Sequence, residues 1–207
     1  MSRPTRSLRK RSKKNPPAVV QAATARTEAT GRAVEVWCMD EHRVGLKPLV
    51  GKQWSERGKA PTVRVQHRYE WLYISAFVCP QTGESQYWLL PTVNTAAFQA
   101  VLDRFALDTQ AGKTREIILV LDGAGWHATP QLKCPPGIEL VFLPPYSPEL
   151  QPAERLWSLT DAPLKNRHFE TLEDLTVLLA EQCRRLEQQR ERIRSLTFFH
   201  WWPCITN

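Results

Sequence analysis

Ile117-Ile-Leu-Val-Leu-Asp122 is the stretch on which the fold turns. Five consecutive aliphatic side chains with no polar alternation, three of them β-branched, read as a short strand covered on both faces. Such a strand sits inside a sheet flanked by helices, and this one delivers an acid at its end. The pattern also occurs upstream, where Val34-Glu-Val-Trp-Cys-Met-Asp40 is an apolar, β-favouring run with an acid at its C-terminal tip. If the two strands are neighbours running in the same direction, Asp40 and Asp122 emerge side by side. Carboxylates so placed repel and raise one another's pKa unless a cation lies between them, so their convergence implies a metal. Taken singly, each has an ordinary reading as a turn residue at a strand end, with Gly123 directly after Asp122.

Outward from these two runs the period changes in order. Strands are expected at 62–66, 71–79 and 84–90, with Pro80-Gln-Thr-Gly83 as a turn between the last two, so the first half reads as an antiparallel meander. Residues 95–107 switch to a helical stripe of Phe98, Val101, Leu102, Phe105 and Ala106. After the central strand come a short segment with Gly123, Gly125, Trp126 and His127, and then a strand at 139–143. A loop, Pro144-Pro-Tyr-Ser-Pro148, leads to a helix beginning near Pro152. Thr171, with Asp174 three residues later, caps a long helix carrying Leu172, Leu175, Leu179, Cys183 and Leu186 on one face. Residues 198–203, with two tryptophans, are expected to dock on the body. This order describes an α/β fold, a mixed sheet with helices on both faces, and an RNase H-like arrangement is the specific candidate.

Bulk properties bound the reading. With 207 residues and 42% apolar content the chain supports one substantial domain, assigned to 32–203, with a tail at 204–207. Its longest aliphatic run, 117–121, is far below the ~18 residues of a membrane span, and no signal core follows the basic start. A soluble, cytoplasmic protein with no membrane partner is expected. The five cysteines are scattered and lack any Cys-x-x-Cys spacing, which argues against a disulfide framework or a zinc ribbon. The net charge of +7 is concentrated: residues 1–14 hold seven Lys and Arg and no acid, leaving 21 basic against 21 acidic residues elsewhere. Residues 1–31 read as a basic flexible linker or tail, either a phosphate-contacting arm or simply a solvated start.

Transfer of a DNA phosphodiester needs divalent cations held between oxygen ligands more than it needs covalent help from protein. A third acid is therefore sought, and Glu154 is the candidate. Pro152 suits a first helical position, which places Glu154 in the first turn, where amide ends orient a carboxylate. A capping-box role for Glu154 is weakened because Gln151 stands three residues before it. Glu149 and Asp161 are nearby alternatives that spacing alone leaves open. His127 is a supporting candidate for contact with a phosphate or water, with a structural role equally open. Glu41 falls on the face opposite Asp40 if the strand continues. Arg155 and Lys165 are candidate contacts to a DNA backbone, with a solvated helix face equally open, while Trp54, Trp71, Trp88, Trp126 and Trp157 read first as core residues.

Leu-Val-Leu-Asp122-Gly-Ala-Gly-Trp-His127, followed by Phe-Leu-Pro-Pro-Tyr-Ser-Pro-Glu-Leu-Gln-Pro-Ala-Glu154-Arg-Leu-Trp157, resembles the signature of DDE-superfamily transposases in the mariner-like branch of bacterial insertion sequences. Met-Asp40-Glu41 resembles the family's first acid, and Gln-Trp54 through Gly58 to Pro61 its following segment. The likeness covers roughly residues 34–203. It implies an RNase H-like catalytic domain in which Asp40, Asp122 and Glu154 bind two Mg²⁺ (or Mn²⁺) ions. Asp122 and Glu154 are separated by 31 residues, shorter than the commonest eukaryotic spacing, and Gln151 stands where relatives often have Asn.

The function implied is cut-and-paste DNA transposition. Water first attacks the phosphodiester at an element end, and the freed 3′-OH then attacks target DNA. The expected partners are transposon-end and target DNA, a second copy of the chain as a homodimer on DNA, and a helix-turn-helix module. That module normally recognises the element's ends and here is expected to be separately encoded or missing, as in a split gene or a truncated copy. The alternatives are an inactive or domesticated DNA-binding derivative and another RNase H-like nuclease.

Overall fold

The 117–121 run forms most of a strand that has neighbours on both sides, in a computed structural model that describes residues 31–62, 68–145 and 147–205 together with Val20, Ala22, Ala23 and Ala25. In chain order the strands are β1 (Ala33–Gly45), β2 (Trp71–Cys79), β3 (Glu84–Leu90), β4 (Arg115–Leu121) and β5 (Ile138–Phe142). Helix α1 (Thr95–Thr109) separates β3 from β4. After β5 come two 3₁₀ turns, Pro148–Leu150 and Pro152–Leu156, then α2 (Trp157–Thr160), α3 (Leu172–Glu187) and α4 (Arg190–Thr197). The five strands form one sheet in the order β3-β2-β1-β4-β5. β1, β2 and β3 are antiparallel, whereas β1, β4 and β5 are parallel. The expected mixed sheet and its RNase H-like strand arrangement are both present.

Strand alternation divides the core into two layers. Val34, Val36 and Cys38 of β1 and Ile118 and Val120 of β4 share one face with Leu156, Leu186 of α3 and Ile193 of α4. Trp37 and Met39, with Ile117, Leu119 and Leu121, face the other way onto Phe98, Val101, Leu102 and Phe105 of α1. That is the period of two expected of a doubly covered sheet, and it places helices on both faces. α1 begins where the side chain of Asn94 accepts from the Ala97 N–H at 2.9 Å, and it ends at Gln110 in a left-handed conformation (φ 56°). α3 has the expected capping box, with Thr171 and Asp174 exchanging side-chain and backbone bonds. Gly83 in the β2–β3 turn has φ +72°, and a Cβ there would lie 1.9 Å from the Arg190 carbonyl oxygen, so only glycine lets α4 start against this turn.

Several boundaries differ from the sequence reading. β1 does not stop at Asp40; it runs on to Gly45, because its second half pairs with β2 from Asp40↔Ala76 to Gly45↔Trp71. The strand expected at 62–66 falls, beyond its first residue, outside the described residues. The chain at Pro152 enters a 3₁₀ turn before a single turn of α-helix, and α4 is an additional helix. Trp54 is fully exposed and Trp71 is 42% exposed, so neither is core: Trp54 lies in a stretch without regular structure, and Trp71 opens β2 with the Arg43 guanidinium 5.2 Å above its ring. The 198–203 segment does dock, with Trp202 at 4% exposure in the α3/α4-side layer. Within the segment read as a tail, Val20 and Ala23 pack into that same layer, whereas the basic residues of 1–14 lie outside the described residues. Among the described residues, no helix is long and apolar enough to cross a membrane.

Phe105 is the hub of the α1 layer, with ring centroids 4.4 Å from Phe77 and 5.1 Å from Trp37, and it is fully buried. Phe105→Ala is expected to cost about 3–5 kcal/mol, read by thermal unfolding as a fall in Tm on the order of 10 °C.

Candidate active site

β1 and β4 are paired in parallel with Cys38 opposite Val120. Two positions beyond this last pair come Asp40, still within β1, and Asp122, just past the end of β4, and strand alternation directs both toward the side that carries Cys38 and Val120. That face is capped by the Pro152–Leu156 turn, whose Ala153 and Leu156 are fully buried, leaving Glu154 between them exposed toward the opening. Asp40, Asp122 and Glu154 line one cleft of about 430 Å³, with Gly123, Leu143, Pro144 and Gln151 among its walls. The two aspartates differ in setting. On the β4 side Asp40 lies past the last paired residue, yet on the β2 side it remains inside the strand, so it is held more rigidly than a residue at a strand tip. Asp122 lies directly after β4.

Gln151 ties the third acid to the first. Its amide Nε2 donates to the Met39 carbonyl at 2.9 Å, and its Oε1 accepts from the Ala153 N–H at 3.4 Å, all at 4% exposure. The side chain thus caps the acid-bearing turn and anchors it to the residue before Asp40. The bond to Met39 crosses 112 positions and has no local signal in the sequence.

Asp40 is pushed up to about 7, first by loss of solvent and further by the charges of Glu41 and Glu154, against the lowering effect of hydrogen bonds from Trp157 and the Glu41 backbone. Trp157 donates from Nε1 to Asp40 Oδ2 at 3.1 Å. Its ring is held in turn by stacking on His42, with centroids 4.9 Å apart and planes at 18°, and His42 Nε2 lies 3.0 Å from Asp161 Oδ1. Asp161 is therefore committed to the support of Trp157. Neither it nor Glu149 is among the residues lining the cleft, although the Glu149 charge helps to raise Glu154. Burial is the main cause of that rise, and Arg155 opposes it.

Asp122 moves the other way. The His127 side chain, bonded to its Oδ1 at 2.8 Å, holds this carboxyl below its ordinary range, with a further contribution from the Ala124 N–H. His127 itself is fully buried, and its Nε2 meets Glu41 Oε1 at 2.9 Å. Burial alone would lower the imidazole, but its bonds to Asp122 and Glu41 outweigh that and raise it to about 9. With both nitrogens engaged, His127 presents neither to a phosphate or a water. Glu41 does point to the face opposite Asp40. Arg155 is exposed beside Glu154, its guanidinium 5.5 Å from the Phe199 ring centroid, and Lys165 is exposed.

Among the described residues, no group of three or more His, Cys, Asp or Glu side chains is gathered closely enough to hold a metal ion as it stands. The donor set still suits hard divalent cations. It consists of carboxylates facing one open cleft, and burial and like charge leave Asp40 in want of a positive neighbour. The raised acid fixes a sign for stability. Folded Asp40 keeps its proton up to about 7 while the unfolded chain releases it near 3.8, so the native state binds more protons across that window and loses stability as pH rises through it. With divalent cations chelated, Asp40→Asn is expected to match the wild type at pH 4 and to exceed it at pH 8 by on the order of 3 kcal/mol, read as Tm against pH.

The family model of the DDE superfamily endonuclease matches residues 35–176. An uncharacterized protein of Sinorhizobium fredii (strain NBRC 101917 / NGR234) is 38% identical over 132 residues, covering 63% of this chain and 96% of that protein. An uncharacterized 39 kDa protein of insertion element IS630 from Shigella sonnei is 26% identical over 137 residues, which is 64% of this chain and 39% of that protein's length. Among solved structures, the mariner Mos1 paired-end complex with Mg aligns with a TM-score of 0.56 at 18% identity, covering 94% of this chain and 63% of that one. The pre-cleavage Mos1 transpososome aligns at 0.55 with 15% identity, covering 89% and 62%. At such identities the likeness shows the fold, and the chain spans less than two thirds of these Mos1 chains. With residues 35–176 matched, well over half its length, the chain belongs to the DDE superfamily endonuclease family.

Proposed function

We propose that this chain is the catalytic domain of a cut-and-paste DNA transposase, in which Asp40, Asp122 and Glu154 hold two Mg²⁺ (or Mn²⁺) ions. One observation carries the reading: carboxylates from two parallel strands and from the turn that caps them line a single open cleft. When bound, the cations would acidify the attacking water or hydroxyl and offset charge on the scissile phosphate. Everything else falls to the chain. β1 and β4 bring two acids out at one end of the sheet, Gln151 fastens the third to β1, and Trp157 and His127 orient Asp40 and Asp122 from either side. Preset donors of this kind spare the reorganisation that phosphoryl transfer would otherwise require.

Substrate geometry follows the same logic. The open cleft, with exposed Arg155 beside Glu154, suits a DNA backbone, and the basic residues of 1–14 add a sequence-independent attraction that weakens with salt. The relatives' names support the choice of transposition, one being an insertion-element protein and the structural neighbours Mos1 transposase complexes with transposon ends. Action as a homodimer on DNA, end recognition by a helix-turn-helix module encoded separately or lost, and a cytoplasmic, nucleoid-associated location belong to the same proposal.

The test is cleavage and joining of a duplex carrying the end of the element that encodes the chain, with Mg²⁺ or Mn²⁺. Wild type is expected to cut and to join the freed 3′ end to a second duplex. Asp122→Asn, still folded by circular dichroism, is expected to lose cleavage on the order of 10³-fold, the several kcal/mol that correct cation placement supplies. Nicking at the wild-type rate contradicts the assignment.

A further inference from the structure

His127 is the only histidine among the described residues bonded to two carboxylates, and it links opposite faces of the sheet. Glu41 and Asp40 are consecutive on β1 and so point to opposite sides, Asp40 into the cleft and Glu41 toward α1. The Glu41 side chain is 9% exposed and accepts from His127 Nε2 at 2.9 Å and from Trp126 Nε1 at 3.3 Å. The imidazole is packed against Phe98 of α1, with ring centroids 4.4 Å apart. Its Nδ1 then reaches Asp122 Oδ1 at 2.8 Å, and the Ala124 N–H donates to the same oxygen at 3.1 Å.

Asp122 needs this support more than a buried acid would. Its side chain is 56% exposed and follows the end of a strand, so without partners it would sample several rotamers, at an entropic cost to any ligand it holds. Two donors on Oδ1 commit that oxygen and leave Oδ2 as the one to offer. Buried partners that orient a ligating side chain typically carry about 10–100-fold in metal affinity.

We infer that Glu41 and His127 are positioning residues, which hold Asp122 in one orientation and reserve its Oδ2 for a divalent cation. The inference rests on the reading of Asp122 as a metal ligand. Neither residue touches substrate; both act through Asp122, Glu41 as the anchor and His127 as the arm.

Mn²⁺ affinity of the full chain, measured by electron paramagnetic resonance, tests it without recourse to activity. His127→Ala is expected to weaken Mn²⁺ binding about 10–100-fold. His127→Asn is expected to restore most of the loss, because its Nδ2 can donate to Asp122 from the place of the imidazole Nδ1. A merely structural ring predicts instead that Asn is as poor as Ala, and that result overturns the inference. Where His127→Ala does not fold, Glu41→Gln, which keeps the shape of the anchor but removes its charge, is expected to weaken binding by about threefold to tenfold; wild-type affinity there overturns the inference as well. Asp122→Asn separates the two levels. If it leaves affinity unchanged, the metal reading itself falls; if it weakens Mn²⁺ while the His127 and Glu41 variants bind as wild type, only the positioning role falls.

Discussion

Parallel pairing of β1 with β4 is the constraint from which the rest of the site follows. A parallel ladder that ends with Cys38 opposite Val120 brings the next same-side residues, Asp40 within β1 and Asp122 just past β4, out at the same end of the sheet. Because both strands are covered on each face, a slip of one residue would turn Val34, Val36 and Cys38 out of one core layer and Trp37 and Met39 out of the other. The apolar layers therefore hold the acids in register. Hydrophobic burial, which has no interest in catalysis, fixes the spacing of the cleft.

Electrostatics pull against that placement, and the neighbouring side chains show how the strain is managed. Asp40 is desolvated and faced by like charge, which raises it, and it keeps a donor in Trp157. Asp122 is lowered by a buried imidazole that is itself kept cationic by two acids. Two carboxylates at the same end of the sheet thus have opposite proton affinities, one set by burial and the other by a charge-assisted hydrogen bond. Glu154 stays at the exposed rim, tethered through Gln151 rather than through its own side chain. The acids line one cleft without being gathered into a close cluster.

Much of this was legible in the sequence because its signals were local. An unbroken aliphatic run announced β4, a stripe at helical spacing announced α1, and Thr171 with Asp174 announced the start of α3. Asp40, Asp122 and Glu154, the acids the sequence pointed to, line one cleft. The misreadings arose where a local signal competed with a tertiary one. Asp40-Glu-His-Arg looks like the end of a strand, but each polar residue there finds a partner: Glu41 in His127, His42 in Trp157 and Asp161, and Arg43 over Trp71. Half of the residues of α4 are charged, and Ile193 and Leu196 are its two aliphatic side chains, too little apolar period to be seen. The bond between Glu41 and His127 spans 86 positions, and no spacing rule reaches that far. Gln151 looked like a weak cap because its second partner, the Met39 carbonyl, lies 112 positions away.

The central claim is that folding brings Asp40, Asp122 and Glu154 to a common cation site. A crystal of the chain equilibrated with Mn²⁺ and measured for anomalous scattering tests it most directly. Anomalous peaks between these three carboxylates, at roughly 2.0–2.3 Å from their oxygens, are what the account predicts. Full Mn²⁺ saturation with the peaks elsewhere, and the cleft vacant, would contradict it.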